Sequence, residues 1–184
     1  LMEDCETFLE KRRHAAIAVA ERAPREPIFR IAVSPLPVHI NRVDIFSADI
    51  RRLMKEPPDL RPGGWVLDWP IGMQPEPTMH GLRIEVRQDR SLEVFRNGYA
   101  ELRILSSRRL GDFEELEGLG RTGVWYPISL VEYTVSFLRF YRSLCALVGI
   151  LDPLVITWEI LNAKGWGLRR LPGDEYRMSS ITSH

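Results

Sequence analysis

"LEVFRNGYAELRIL", residues 92–105, is the stretch on which the fold turns. Its Asn97-Gly98 pair is a strong hairpin signal, and the commonest hairpin built on such a pair has a two-residue loop. With that loop Val94 would pair with Glu101, Leu92 with Arg103 and Leu102 with Glu93. Both faces would then mix apolar and charged side chains, which a sheet with one buried face does not tolerate. A three-residue loop, Arg96-Asn97-Gly98, shifts the pairing by one. Val94 then opposes Ala100, Leu92 opposes Leu102, and Ile104 continues the row. Gly98 takes the left-handed position of a type I turn with a bulge. The other face carries Glu93, Phe95, Tyr99, Glu101 and Arg103, with Phe95 and Tyr99 paired across the strands. That face is expected to meet either solvent or an interface.

Working outward, "LRIEVRQ" alternates Leu82, Ile84 and Val86 against Arg83, Glu85 and Arg87, so it joins the same apolar row. "IFRIAVS" alternates Phe29, Ile31 and Val33 against Arg30 and Ser34 and reads as a half-buried strand. Residues 3–22 repeat apolar positions at helical spacing, and the prolines of "APREP" end that helix. Ser47 can cap a short helix carrying Ile50, Leu53 and Met54. A long helix is expected over 128–149, its stripe formed by Leu130, Val131, Thr134, Phe137, Leu138, Tyr141, Leu144, Cys145 and Val148. Pro153 opens a last strand, "LVITWEIL". Two stretches read as irregular. Residues 56–81 hold six of the 13 prolines with Trp65 and Trp69, whose rings either pin the loop to the core or face a ligand. Residues 106–123 are glycine-punctuated, without a clear period. The whole predicts an α+β fold: a mostly antiparallel sheet of about five strands, one face covered by the long helix and the N-terminal helix. Residues 1–22 form a linker helix, 23–172 the domain and 173–184 a polar tail.

The 184 residues carry 25 basic and 25 acidic side chains, so no global basic field favours nonspecific nucleic-acid binding. Cys5 and Cys145 lie far apart in helical contexts and read as buried thiols of a protein from a reducing cytoplasm. "ISLVEYTVSFLRFYRSLCALVGIL" has the length of a membrane span, but Glu132, Arg139 and Arg142 lie inside it. Each would cost about 2.5–3.5 kcal/mol near mid-bilayer, so the run reads as a buried helix and no membrane partner is expected.

No spacing calls for a metal or a cofactor. His14, His39, His80 and His184 make no ligand pattern, and there is no HExxH, CxxC, phosphate-binding glycine loop or G-x-S-x-G. No catalytic residue is assigned. "GDFEELE" gathers Asp112, Glu114, Glu115 and Glu117, which read as a solvated acidic turn or as a divalent-ion site. Glu159, beside Trp158 on a strand, would need an arginine partner if buried.

"LEVFRNGYAE", a glycine-rich gap, a long apolar helix and "LDPLVITWEILNAKGWGL" follow one another in an order that resembles a known family. It is that of bacterial proteins beginning with an AlbA-like, Schlafen-type DNA-binding domain, and the resemblance is to their C-terminal region. Phe95, Arg96, Asn97, Gly98 and Glu101 match, as do Pro153, Leu154, Gly165 and Trp166; Asp152 stands where the family has a first proline. "PIFRIAVSPLP" and "GGWVLDW" add to the likeness. The resemblance implies a fragment lacking its nucleic-acid-acting N-terminal domain, and it brings no catalytic residue to this chain.

Three functions stay open. The first is a non-catalytic sensor or dimerisation module, a homodimer or partner to the missing domain, using Trp65, Trp69, Phe95, Arg96, Tyr99, Glu159 and Trp166. The second is a metal-dependent hydrolase or nuclease built on Asp112, Glu114 and Glu159. The third is direct nucleic-acid binding through Arg12, Arg13, Arg51 and Arg52, which requires those four on one face.

Overall fold

A computed structural model describes residues 2–22, 27–60, 67–87, 89–105, 110–116 and 120–168, with the side chains of 2–4, 22, 112–116, 120–122 and 168 left out. Trp65, the side chains of Asp112 and Glu114, and the tail 173–184 therefore lie outside the described residues. The elements are α1 (Met2–Arg22), β1 (Ile28–Pro35), α2 (Ala48–Lys55), β2 (Glu76–Pro77), β3 (Gly81–Val86), β4 (Arg90–Phe95), β5 (Ala100–Ile104), β6 (Gly111–Leu116), β7 (Gly120–Trp125), α3 (Pro127–Val148), β8 (Leu154–Leu161) and β9 (Trp166–Leu168).

The β4–β5 hairpin takes the three-residue loop. Leu92 lies opposite Leu102 and Val94 opposite Ala100. The Phe95 amide donates to the Tyr99 carbonyl at 2.8 Å, and the Gly98 amide donates to the Phe95 carbonyl at 3.0 Å. Gly98 has φ +89°, where a side chain is strained, and a Cβ there would sit 2.9 Å from Ile150 Cδ1.

Six strands form the main sheet in the order β2-β3-β4-β5-β1-β8, every pair antiparallel. The chain enters at β1, jumps to the β2 edge, meanders back to β1 and adds β8 on its far side after α3. β1 is consequently buried along its whole length. The sequence suggested a half-buried strand. The difference arises because the Arg30 face is covered too.

The two long helices take opposite faces rather than sharing one. On the α3 face, Phe29, Ile31, Val33, Leu82, Ile84, Leu92, Val94, Leu102 and Ile104 meet Tyr133, Phe137, Phe140 and Leu144 of α3, with Ile50 and Met54 of α2. Each such side chain contributes about 1.5–3 kcal/mol on full burial. Ser47 caps α2, accepting from the Ile50 amide. Pro127 opens α3, suiting a first turn whose amides have no helical acceptor. Gly149 in the left-handed region closes it, donating to the Cys145 carbonyl at 2.8 Å. The buried face of α3 runs through Tyr133, Phe137, Phe140 and Leu144 and extends to Ser129, Glu132 and Ser136. Val131 and Leu138, expected in the stripe, are left exposed because the buried arc is rotated away from them.

On the opposite face α1 packs Phe8 and Leu9 against Ala32, Phe95 and Tyr99. This corrects the expectation that the outer hairpin face meets solvent or another molecule: Phe95 is 5% exposed and Tyr99 0%.

A second sheet, β6-β7-β9, takes β6 and most of β7 from the stretch 106–123 read as irregular and adds β9 from after β8. β6 and β7 form an antiparallel hairpin, and β9 runs parallel to β7 with Trp166 opposite Gly123. A Cβ on Gly123 would come within 2.4 Å of the Trp166 ring, so only glycine lets that indole lie across β7. Trp166 also packs on Trp125 at 5.0 Å between ring centroids. Among the described residues no helix is long and apolar enough to cross a membrane.

Candidate functional site

Beneath α1 the sheet presents charge. Arg30 on β1, Glu93 on β4, and Glu101 and Arg103 on β5 are all buried. Register brings them together: Arg30 is opposite Arg103 on one side and Glu159 on the other, and Glu93 is opposite Glu101. Like carboxylates directly opposite one another are destabilising unless cations separate them. Arg12 of α1 supplies one, reaching Glu93 at 2.9 Å and Glu101 at 3.3 Å. Arg30 donates to Glu101 at 2.9 Å, to Glu159 at 2.6 Å and to the Tyr99 hydroxyl at 3.0 Å. Tyr99 in turn donates its hydroxyl to Glu101. Arg83 closes on Glu93 at 3.1 Å, Arg103 on Glu101 at 3.2 Å and Arg13 on Glu159 at 2.9 Å.

These surroundings decide the protonation states. Burial pushes the Glu101 carboxyl up, but Arg30, Arg12 and Arg103 outweigh it and hold the group below its ordinary range. Burial works against the charge on Arg30, and Glu101, Tyr99 and Glu159 together more than restore it. Burial pushes the Tyr99 phenol up, with the neighbouring Glu101 charge adding to it. All three carboxylates are saturated by arginine.

The residues anticipated from sequence fall into separate places. Phe95 and Tyr99 do pair, at 5.2 Å between centroids, but their third ring is Phe8 of α1 at 6.1 and 5.1 Å. Trp69 donates its indole N–H to the Met54 carbonyl at 2.8 Å and lies under the Arg90 guanidinium, so it pins the proline-rich loop to α2. Trp166 is buried in the core. Glu159 belongs to the arginine network. Arg96 stands at the hairpin turn, partly exposed. Arg12 and Arg13 turn toward the sheet from α1, whereas Arg51 donates to the Pro75 carbonyl at 3.1 Å and Arg52 pairs with Asp49 at 2.7 Å on α2. Because α1 and α2 lie on opposite faces of the sheet, the four arginines do not make one basic face. Among the described residues no group of three His, Cys, Asp or Glu could hold a metal ion.

What the sequence did not mark is the edge at which the main sheet ends among the described residues. Among the described residues β8, an eight-residue strand, is paired only through β1. Its α3-side residues Leu154, Ile156 and Trp158 are 43%, 53% and 48% exposed. Trp158 is anchored by Thr134, whose Oγ1 accepts the indole N–H at 3.1 Å, and by the Phe29 ring at 5.6 Å. Exposed Val131, Leu138 and Leu151 continue the patch. A groove lined by Leu138, Tyr141, Cys145, Leu154 and Ile156 runs between α3 and this edge. Long apolar edges invite pairing with another chain, and proteins usually blunt them. The opposite edge is blunted: β2 is two residues, Glu76 and Pro77.

Comparison with protein-family models, with curated proteins and with solved structures found no match to this chain.

Proposed function

We propose that the chain is a non-catalytic interaction module that dimerises through β8, in service of a nucleic-acid-acting domain. The observation that carries this reading is the unprotected apolar edge formed by Leu154, Ile156 and Trp158. The sheet is antiparallel throughout, so a second copy related by a twofold axis normal to the sheet continues it without changing its pattern. Directly opposed residues in such a pair point to the same face. The even-numbered row Leu154, Ile156, Trp158 and Ile160 of one copy therefore meets the same row of the other, with Val131 and Leu138 of both α3 helices alongside. The link to nucleic acid rests on the resemblance carried by Phe95, Arg96, Asn97, Gly98 and Glu101 and by Pro153, Leu154, Gly165 and Trp166. Saturation of Glu93, Glu101 and Glu159 by arginine supports a role without catalysis.

Light scattering on the purified chain at low and high salt, with and without nucleic acid, tests the reading. The expected result is a salt-insensitive mass twice the 21.3 kDa of one chain, unchanged by nucleic acid. Ile156→Glu should return a folded monomer, because a desolvated, unpaired carboxylate at the seam opposes association. A monomer at every concentration, or a dimer indifferent to Ile156→Glu, would rule the β8 interface out.

A further inference from the structure

A second site lies at the hairpin turn and shares no residue with the β8 edge. A cleft of about 430 Å³ opens between α1, residues 38–41, residues 79–80 and the β4–β5 turn, a volume in the small-molecule range. Phe8, Val38, Met79 and Phe95 give it an apolar wall. Its ionisable lining is Lys11, Arg12, His80 and Arg96, with no carboxylate.

The cations differ in what they are already doing. Arg12 is committed to Glu93 and Glu101 and lies 4.6 Å over the Phe95 ring. Lys11 and Arg96 form no ion pair among the described residues, and both line the cleft, although Lys11 also borders Glu6 and Glu10 on the outer side of α1. The turn also holds Arg96 firmly. Its amide donates to the His80 carbonyl at 3.0 Å, and its carbonyl accepts from the Arg42 and Val43 amides at 2.7 and 2.8 Å. The Asn97 side chain donates to the Val38 carbonyl at 2.8 Å, tying the turn to the neighbouring wall. His80 lies against Phe95 at 5.5 Å, ring to ring, leaving its imidazole exposed beside Arg96.

We infer that this cleft binds a small phosphate monoester bearing an apolar or aromatic group. A phosphate monoester carries a charge of about −1.5 to −2 at pH 7, which Lys11 and Arg96 together balance. The guanidinium fork of Arg96 matches phosphate oxygens in a two-bond geometry. The remainder of the ligand lies along Phe8, Val38 and Met79. The three-residue turn thus does more than set register: it carries Arg96 to the mouth of the cleft on a rigid backbone.

Calorimetric titration of the full chain with phenyl phosphate tests the inference, with phenol, benzoate and a short single-stranded oligonucleotide as comparisons. Saturable binding of phenyl phosphate is expected, with phenol silent and benzoate weaker. Lys11→Gln combined with Arg96→Gln should weaken binding by at least about tenfold, the loss expected for charge-assisted bonds, while Arg52→Gln should leave it unchanged. Should the double variant melt early, amide resonances of His80, Arg96 and Asn97 in the unaltered chain provide the second readout, and they are expected to shift with added phenyl phosphate. Absence of saturation at millimolar phenyl phosphate would overturn the inference. So would equal affinity for benzoate, unmoved resonances, or binding confined to the oligonucleotide. None of these results bears on the mass measured for the β8 interface.

Discussion

The two faces of the main sheet belong to the same strands and are both buried, but they are closed in different ways. Toward α3 the strands offer Phe29, Ile31, Leu92 and Leu102, and the helix answers with Phe137, Phe140 and Leu144. Toward α1 they offer Arg30, Glu93, Glu101 and Arg103, and the helix answers with Arg12, Arg13 and a small cluster around Phe8. The first face is held by dispersion and water exclusion, which ask only for volume and shape. The second is held by charges whose removal from water costs several kcal/mol per ion and is repaid only in good geometry. Attachment of α3 rests mainly on apolar contact, with buried Glu132 among it, whereas attachment of α1 rests on charge and so depends on protonation.

Breaking the apolar face should cost most. Phe137→Ala empties a fully buried ring site and should lower unfolding free energy by about 3–5 kcal/mol in urea titrations, by the same amount at neutral and mildly acidic pH. Breaking the charged face comes next. Arg30→Met takes one cation from both Glu101 and Glu159, leaving them Arg12, Arg103 and Arg13, and should cost about 3 kcal/mol in the same titrations. Adding Glu101→Leu should regain part of that loss, since replacing a buried pair by carbon is tolerated far better than halving it.

Acid sharpens the contrast with the smallest perturbation. The Glu101 carboxyl is held below its ordinary value of 4.5 in the folded chain. Its contribution to stability is complete above that ordinary value and is lost as pH falls through the lower, folded one. Stability measured from pH 7 downward should hold to about the ordinary carboxylate range and then decline. The Arg30→Met, Glu101→Leu chain should decline less steeply. Equal slopes for the two chains would mean that other carboxylates govern the acid limb.

The same contrast explains what was legible in the sequence. The β4–β5 register was legible because only one pairing puts Leu92, Val94, Ala100 and Leu102 on one face. α2, α3 and β1 were legible from apolar period, capping serine and flanking proline. What covers the Phe95–Tyr99 face was not. A row of Glu93, Glu101 and Arg103 looks the same in sequence whether it meets water or the arginines of a helix some eighty residues earlier. Phe95 and Tyr99 were singled out correctly as a cross-strand pair, but their ring partner Phe8 belongs to the same chain. The β6–β7 hairpin escaped because Gly111, Gly120 and Gly123 interrupt any alternation. The β8 edge escaped because strand order is not chain order. Val155 and Leu161 make its second face apolar as well, so the pattern resembles a central strand and gives no sign of a free side.

Arg42 has a consequence for motion. Residues 36–47 contain no helix or strand, and such a segment would ordinarily be expected to open readily. Yet the guanidinium of Arg42 donates to the carbonyls of Leu36, Pro37, Ile40 and Asn97 and to Asp152, all within 3.3 Å. Its own amide and that of Val43 are bound to Arg96. One side chain thereby joins the end of β1, the hairpin turn and the entry to β8. Those two amides can exchange with deuterium only when the turn itself lets go. In the time domain this loop belongs with the sheet, and protection from exchange would trace a cooperative unit that secondary structure does not show.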